Sequence, residues 1–259
     1  MQNTVTNTNT YDDSKKKILI VDDEPSIQDL LVFNLEKEGY KTITASDGEE
    51  GVSLALSQNP DLILLDVMLP KADGLTVCKR IRQTLSKTPI IMLSAKGEEI
   101  DKILGLEIGA DDYMTKPFSV RELIARVKAN LRKVEQNDEL SASGVRNNKI
   151  VVGDLKLDFD KFEVEVRGQK VTDLTRREFE VLRYLAQKPG QVVTREDLLE
   201  KVWGYEYYGD IRTVDVTIRR IREKIEKNTA NPKILITKRG VGYYICLLYT
   251  SPSPRDTER

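Results

Sequence analysis

The most informative absence in this sequence is that of histidine, which occurs nowhere in its 259 residues. The chain therefore has no triad with a histidine base, no imidazole metal ligand and no phosphohistidine of its own. Cysteine is scarce, since only Cys78 and Cys246 are present and they lie far apart. Their number and separation indicate buried or incidental thiols rather than a disulfide or a zinc site.

Long apolar runs are missing as well, and we expect no secretory leader. No stretch approaches the ~20 apolar residues that a membrane-spanning helix needs. Residues 1–14 are polar and lack the basic start and apolar centre of a signal peptide. With 39% hydrophobic and 32% charged residues, the composition is typical of a globular protein with room for two domains. We expect a cytoplasmic protein without a membrane partner.

The charge is distributed unevenly along the chain. Residues 1–145 contain 18 Lys and Arg against 24 Asp and Glu, whereas residues 146–246 contain 21 against 16. An acidic first half suggests cation chemistry, and a basic second half predicts a polyanionic partner.

Residues 16–133 alternate short apolar strands with helical segments. The strand signals at 17–21, 61–66 and 89–94 are almost uninterrupted apolar runs, which is typical of a parallel sheet covered on both faces. Five β/α repeats predict an α/β doubly wound domain with a five-stranded parallel sheet in the flavodoxin-like order 2-1-3-4-5.

Polar residues follow or end these strands, namely Asp22-Asp23, Asp66, Ser94 and Lys116. Ligands of parallel sheets bind at the carboxyl ends of the strands, so we expect these side chains to converge. Three carboxylates would repel one another, and Mg²⁺ would relieve that repulsion while leaving positions open for phosphoryl oxygens. The pattern therefore predicts a site for Mg²⁺ and a phosphoryl group.

Each of these residues has a simpler interpretation when taken alone, such as a solvated acidic loop or a surface lysine before a turn proline. Their shared position at one end of different strands favours the phosphoryl site. A phosphohydrolase of the haloacid-dehalogenase type also uses a strand-end aspartate, but it normally needs a second one where this chain has Met68. A P-loop enzyme is excluded, because no Gly-x-x-x-x-Gly-Lys motif occurs.

Residues 16–133 resemble a response-regulator receiver domain. The matching motifs are Asp22-Asp23-Glu24, Asp66, Ser94 and Lys116-Pro117-Phe118. The resemblance implies that Asp66 accepts a phosphoryl group from a partner histidine kinase, and that the Lys116–Pro117 peptide bond is cis. The only enzymatic activity that it implies is self-catalysed phosphoryl uptake and loss at Asp66.

The same resemblance implies roles for the other pocket residues. The implied Mg²⁺ ligands are Asp22, Asp23, Asp66 and the backbone carbonyl of Met68. Lys116 would pair with the phosphoryl group, Ser94 would hydrogen-bond it, and Tyr113 would swing inward as Ser94 moves.

The second half of the chain has a different pattern. Residues 134–149 are polar and rich in Ser and Asn, which predicts a flexible linker. Short alternating strands, three helical patterns and a closing hairpin then predict an α+β winged helix-turn-helix over residues 150–246. Residues 247–259 resemble read-through of a cloning or sequencing adaptor, and we expect them to be non-native and unstructured.

The helical pattern at 212–227 is the best candidate for contact with DNA. Its apolar positions Val214, Ile218, Ile221 and Ile225 predict a core-facing stripe. Its other side carries Thr, Val and Arg side chains, which can contact thymine methyl groups and guanine edges in a major groove. A solvated charged helix is the simpler alternative, but the basic hairpin with Lys238-Arg239 and the basic domain favour DNA binding.

Residues 150–246 resemble the winged-helix domain of the OmpR/PhoB family of response regulators. The resemblance implies base or groove contacts by Arg212, Thr213, Val216, Thr217, Arg220, Arg222 and, from the wing, Arg239. It implies phosphate contacts by Arg195 and Trp203. The stretches "VWGYEYYGDIRTVDVTIRRIREKIE" and "TKRGVGYY" resemble cell-wall regulators of low-GC Gram-positive bacteria, with their phosphate-response regulators as the alternative.

The family resemblance also implies a homodimer on phosphorylation, bound to direct repeats of double-stranded DNA. Its interface would pair Lys102 with Glu122 of a second copy, and Asp112 with Arg126 of that copy. The simpler alternative is a pair between Glu122 and Arg126 within one helix.

Two functions of different classes follow from these patterns. The first is a phosphorylation-controlled transcription regulator. The second is a receiver that acts by protein contact alone, with the winged helix as a docking module. An enzymatic output is a distant third, because residues 150–246 show no nucleophile–base set and no metal cluster.

Overall fold

The computed structural model describes residues 15–95, 105–131, 148–204 and 211–247. Its elements form two groups, one between residues 17 and 131 and the other between residues 149 and 245. Most of the predicted linker and all but the first residue of the predicted tail lie outside the described residues. Lys149, which the sequence assigned to the linker, lies in a strand.

The first group is built on five parallel strands in the order β2-β1-β3-β4-β5, as predicted. The strands are β1 (Lys17–Val21), β2 (Lys41–Ala45), β3 (Leu62–Asp66), β4 (Ile90–Ser94) and β5 (Asp112–Thr115). Every residue of β3 and β4 is buried. Their continuous apolar sequence follows from this position, since helices cover both faces of the sheet's centre.

Helices follow the strands as the β/α alternation predicts. They are α1 (Pro25–Lys37), α2 (Gly48–Gln58), α3 (Gly74–Arg82), α4 (residues 105–108) and α5 (Val120–Leu131). The Asp47 and Asp73 side chains cap α2 and α3 by accepting hydrogen bonds from the backbone N–H groups of Glu50 and Thr76. Residues 98–104 of the predicted fourth helix lie outside the described residues.

The second group contains two antiparallel sheets and three helical segments. The four-stranded sheet runs through β6 (Lys149–Val152), β7 (Leu155–Asp158), β8 (Glu163–Val166) and β9 (Gln169–Val171). The three-stranded sheet has the order β10-β12-β11, from β10 (Val193–Thr194), β11 (Leu235–Lys238) and β12 (Gly242–Ile245). The winged-helix class is confirmed, although β9 and β10 carry no sequence signal of their own.

The helical segments of the second group are α6 (Arg176–Ala186), α7 (Arg195–Leu198) with a π-helical continuation (Leu199–Trp203), and α8 (Arg212–Ile225). The predicted apolar stripe of α8 is confirmed: Val214, Ile218, Ile221 and Ile225 are buried in one core with Trp203. In the described part of the chain, no helix has the length and apolar character needed to cross a membrane.

Candidate functional site

Three carboxylates meet at the carboxyl end of the first sheet. Asp22 follows β1 and Asp66 ends β3, and these strands pair in register so that Val21 lies beside Leu65. Oxygens of Asp22, Asp23 and Asp66 lie within 4.8 Å of one another, with Asp22 and Asp66 buried and Asp23 exposed. Clustered carboxylate oxygens with one open side are the donor set that Mg²⁺ uses in proteins.

Lys116 lies over this cluster. Its Nζ is 2.6 Å from Asp66 Oδ2, 2.8 Å from Asp22 Oδ2 and 3.4 Å from Glu24 Oε1. The lysine follows β5, and its backbone N–H donates to the Ser94 carbonyl at 2.7 Å. The Lys116–Pro117 bond is cis, as expected. A single ammonium group therefore bridges carboxylates from the ends of two strands.

Burial and the neighbouring charges have opposite effects on the pKa values of the pocket residues. Burial raises the pKa of the Asp22 carboxyl, and the hydrogen bond from Lys116 offsets only part of that rise. Burial by itself would lower the pKa of Lys116. The hydrogen bonds from its ammonium group to Asp22 and Asp66 have a larger effect, so the pKa of the lysine is raised. Lys116 thus keeps its positive charge beside Asp66.

The Asp66 side chain is fixed from two directions. Its Oδ1 accepts a hydrogen bond from the Met68 N–H at 3.0 Å, and its Oδ2 accepts one from Lys116. Gly74, the first residue of α3, packs on the Asp66 backbone so closely that a Cβ there would lie 2.1 Å from the Asp66 carbonyl oxygen. The close approach of α3 to the strand that ends in Asp66 therefore requires glycine, which sequence reasoning missed.

Gly74→Ala is expected to slow phosphoryl uptake at Asp66 and to destabilise the receiver by about 1–3 kcal/mol, since backbone must shift to admit the methyl group. Initial labelling rates with acetyl phosphate and a denaturant titration would measure both effects. Gly39→Ala is the control: its φ of +88° makes alanine strained, but its Cβ meets nothing within 4 Å. A Gly74→Ala protein with wild-type rate and stability would contradict the close packing.

Ser94 and Tyr113 belong to β4 and β5, the two strands that precede Lys116 in the chain. Ser94 ends β4 and is fully buried, and its strand neighbour is Thr115 of β5. Tyr113 is 7% exposed, and its ring lies beside α4 near Gly105. The structure thus places Ser94 at the end of the strand beside β5, and the Tyr113 ring against α4.

The predicted DNA-facing side of α8 is not exposed in this structure. Thr213, Val216, Thr217 and Arg220 are each at most 8% exposed. The expectation that Arg220 points outward is therefore wrong for this conformation. Val216 packs in a receiver cluster, and Arg220 donates hydrogen bonds to receiver carbonyl oxygens and pairs with Glu178 of α6.

The other predicted DNA contacts differ in their exposure. Arg212 and Arg239 are exposed. Arg222 donates to the Leu235 carbonyl of the β11–β12 hairpin, and Arg195 pairs with Asp215 at 2.7 Å. Trp203 is fully buried, so the expectation that it touches phosphates does not hold here. Its indole is part of the winged-helix core, and its N–H points to the receiver.

The predicted dimer residues pair within one chain. Arg126 is 4% exposed and lies 2.7 Å from Asp112 and 2.6 Å from Glu122. The simpler alternative, an intrahelical Glu122–Arg126 pair, is confirmed. The pairing of Asp112 is intramolecular in this structure, and Lys102 lies outside the described residues.

Comparisons with known proteins agree with both halves of this description. Residues 18–128 match the family "Response regulator receiver domain", and residues 168–245 match "Transcriptional regulatory protein, C terminal". The fold and the acidic pocket therefore define a two-component response regulator, a DNA-binding transcription regulator controlled by phosphorylation rather than an enzyme. The receiver family implies a histidine kinase as the partner.

Two solved structures are similar to this chain over most of its length. DrrB of Thermotoga maritima, described as an OmpR/PhoB homologue, is 35% identical and covers 90% of this chain and 99% of its own, with a TM-score of 0.47. A single-residue mutant of RitR is 29% identical with a TM-score of 0.70, covering 89% of this chain and 98% of its own. The chain belongs to the OmpR/PhoB family of response regulators.

Proposed function

We propose that Asp66 is the phosphoacceptor and that its phosphorylation controls DNA binding by α8 and the β11–β12 wing. The carrying observation is Lys116, which holds a positive charge against two strand-end carboxylates. An Asp66 oxygen would attack the phosphorus of a kinase phosphohistidine, forming an O–P bond as the N–P bond breaks. Lys116 would then pair with the transferred phosphoryl oxygens.

The acidic pocket also fits the cation that this transfer needs. We propose that Asp22, Asp23, Asp66 and the backbone carbonyl of Met68 hold Mg²⁺, which when bound would neutralise charge on the transferring group. Ser94 would donate a hydrogen bond from its hydroxyl group to a phosphoryl oxygen. Tyr113 would follow the movement of Ser94, since it lies on the strand beside β4 and its ring packs near Gly105 of α4.

For the output, we propose that α8 enters the major groove of double-stranded DNA and that Arg239 enters the minor groove. The proposed base contacts are Arg212, Thr213, Val216, Thr217, Arg220 and Arg222, and the proposed phosphate contacts are Arg195 and Trp203. Phosphorylated copies would dimerise through Lys102, Asp112, Glu122 and Arg126, and would occupy direct repeats. DNA binding and dimerisation both require that the contacts of α8 with the receiver, and those of Arg126 with Asp112 and Glu122, open first.

We also propose a cytoplasmic protein with a receiver at 16–133, a linker at 134–149, a winged helix at 150–246 and a non-native tail at 247–259. The sequence stretches quoted above resemble WalR (YycF), which suggests a WalK-like kinase and control of cell-wall metabolism genes. A PhoP-like phosphate response is the second candidate. Footprinting across the protein's own genome separates the two, since the bound promoters would belong to different sets of genes.

DNA affinity should fall steeply with salt if α8 and the wing contact DNA. Each phosphate contact contributes a slope of about −0.9 in log K against log salt. Arg239→Ala is expected to weaken binding of the footprinted duplex, and Glu49→Ala, on the exposed surface of α2, is the control. Binding without a salt slope, or binding only to another protein, would instead favour the docking-module function.

A further inference from the structure

The Arg220 guanidinium is held by a carboxylate of its own domain. Its Nε lies 2.8 Å from Oε1 of Glu178, a residue of α6. Its Nη1 donates to the carbonyl oxygens of Leu106 and Ala110, at 3.0 Å in each case. The carboxylate of Glu178 thus occupies the donor nearest to α8, and the terminal nitrogens are left for acceptors outside the winged helix.

Glu178 is itself held in one position. It is fully buried, and as the third residue of α6 it forms a capping box with Thr175, whose backbone N–H donates to Glu178 Oε2 at 2.7 Å. Lys224 Nζ donates to the same oxygen at 2.7 Å, and also to the Asp173 carbonyl oxygen at 2.7 Å. The N-terminal cap of α6 therefore determines where this carboxylate meets α8.

Glu178 also separates two positive charges of α8. Arg220 and Lys224 are one helical turn apart, and their side chains are only 8% and 17% exposed. Like charges at this spacing repel each other, and burial leaves little water to screen them. The single carboxylate between them neutralises one of the two charges. Without it, Arg220 would be driven away from Lys224 and could turn towards other anions.

This arrangement suits an arginine that reads a base rather than a phosphate. A guanine edge offers two neighbouring acceptors, its O6 and N7 atoms, and a bidentate contact needs the planar guanidinium in one orientation. A long side chain with free torsions can reach phosphate groups as well as bases. A buried partner that fixes one end of the guanidinium restricts that choice.

We propose that Glu178 is a positioning residue for base recognition, which acts through Arg220 without touching DNA. By pairing with Nε it leaves the terminal nitrogens of Arg220 to bind guanine, and by its charge it keeps Arg220 from turning away from Lys224. The inference rests on the proposed function, in that Arg220 must contact a base. The ligand of this Arg220–Glu178 pair is a guanine in the major groove.

The test uses two variants of the phosphorylated full-length protein. Glu178→Gln keeps the length of the side chain and an acceptor for the Thr175 N–H, but it removes the charge. Glu178→Asp keeps the charge and withdraws it from Arg220 by one methylene group. Glu180→Gln is the matched control, because Glu180 is a buried residue of the same helix and pairs with Arg176 and Arg177 of α6 itself.

Affinity is measured for the footprinted duplex, for the same duplex with each guanine–cytosine pair replaced in turn by adenine–thymine, and for a scrambled duplex of equal length. A bidentate arginine–guanine contact discriminates by a factor of about 5 to 150. We therefore expect both Glu178 variants to lose roughly tenfold in discrimination at one guanine position, while Glu180→Gln keeps the wild-type value. Unfolding midpoints are measured in parallel, and either Glu178 variant that keeps the wild-type midpoint is sufficient.

The scrambled duplex separates the effect of charge from that of position. Glu178→Gln and Glu180→Gln each remove one negative charge, so both should bind this duplex more tightly than wild type does. Glu178→Asp keeps its charge and should bind it as wild type does. Affinity without specificity would thus rise in the control as well, whereas discrimination would fall in the Glu178 variants alone.

Arg220→Ala identifies the position that Arg220 reads. When Glu178→Gln is added to Arg220→Ala, no further discrimination should be lost there, because the two residues act as one unit. A purely structural role of Glu178 would instead lower discrimination at many positions and would still do so without Arg220. That result would overturn the proposal.

Wild-type discrimination in a folded Glu178 variant, or an equal loss in Glu180→Gln, would also overturn it. If Arg220→Ala leaves the preference for every guanine unchanged, the base contact of the proposed function fails, and the role of Glu178 fails with it. If Arg220→Ala relaxes one position and the Glu178 variants do not, only the role of Glu178 is refuted.

Discussion

Asp66→Ala is expected to abolish phosphoryl uptake from acetyl phosphate in the presence of Mg²⁺. The substitution removes the attacking oxygens while leaving Lys116 and the other pocket carboxylates in place. Phosphoprotein gels or intact-mass measurement would detect the missing phosphoryl group.

Two companion variants make this result specific to the pocket. Asp29→Ala removes an exposed carboxylate of α1 outside the cluster and should be labelled as wild type is. Asp23→Ala should still be labelled, but only at far higher Mg²⁺, because one oxygen donor is lost and the nucleophile remains. Labelling of Asp66→Ala at the wild-type rate would refute the assignment of the phosphoacceptor.

Asp111→Ala is expected to cause the largest loss of stability in the receiver. Asp111 is 3% exposed, and its Oδ2 accepts hydrogen bonds from Arg82 at 2.5 Å and from the Ile90 N–H at 2.9 Å. Removing one partner of a buried ion pair leaves the other charge uncompensated, which typically costs about 3–5 kcal/mol. Urea unfolding followed by circular dichroism would measure the change.

The exposed Arg80–Glu49 pair supplies a matched control in the same domain. Both side chains reach solvent, so Glu49→Ala should leave the unfolding midpoint almost unchanged, as exposed pairs usually contribute little. Asp111→Asn keeps an acceptor for the Ile90 N–H and should lose less stability than alanine does. Equal midpoints for Asp111→Ala and Glu49→Ala would show that the buried pair contributes nothing.

The receiver could be predicted closely from sequence because its signals are local. Each apolar run has the length of one buried strand, and the polar residue at its end marks the carboxyl edge of the sheet. Parallel pairing then brings Asp22, Asp66 and Lys116 together without further information. The apolar stripe of α8 was equally local, since its spacing alone assigns it to a core.

What the sequence did not reveal depends on contacts between distant residues. The outer face of α8 has the composition of a DNA-binding surface, and nothing in residues 212–225 indicates that Arg220 would meet the carbonyls of Leu106 and Ala110. The sequence around Asp111 does not indicate a partner, and only its distance from Arg82 reveals a buried pair. Strands β9 and β10 are too short for a periodicity signal, and they exist through pairing with β8 and β12.

The β6–β9 sheet and the receiver sheet differ in how far apart in sequence their paired strands lie. In the β6–β9 sheet each strand pairs with the next one, and Gly153 and Gly168, both with positive φ, lie in the turns that reverse the chain. In the receiver, Ile18 must pair with Leu62, although two helices and a strand lie between them in the chain. Closing that larger loop costs more entropy and slows assembly. We therefore expect the β6–β9 meander to form early, from local contacts. The central strands of the receiver sheet can pair only after β3 has reached its place between β1 and β4.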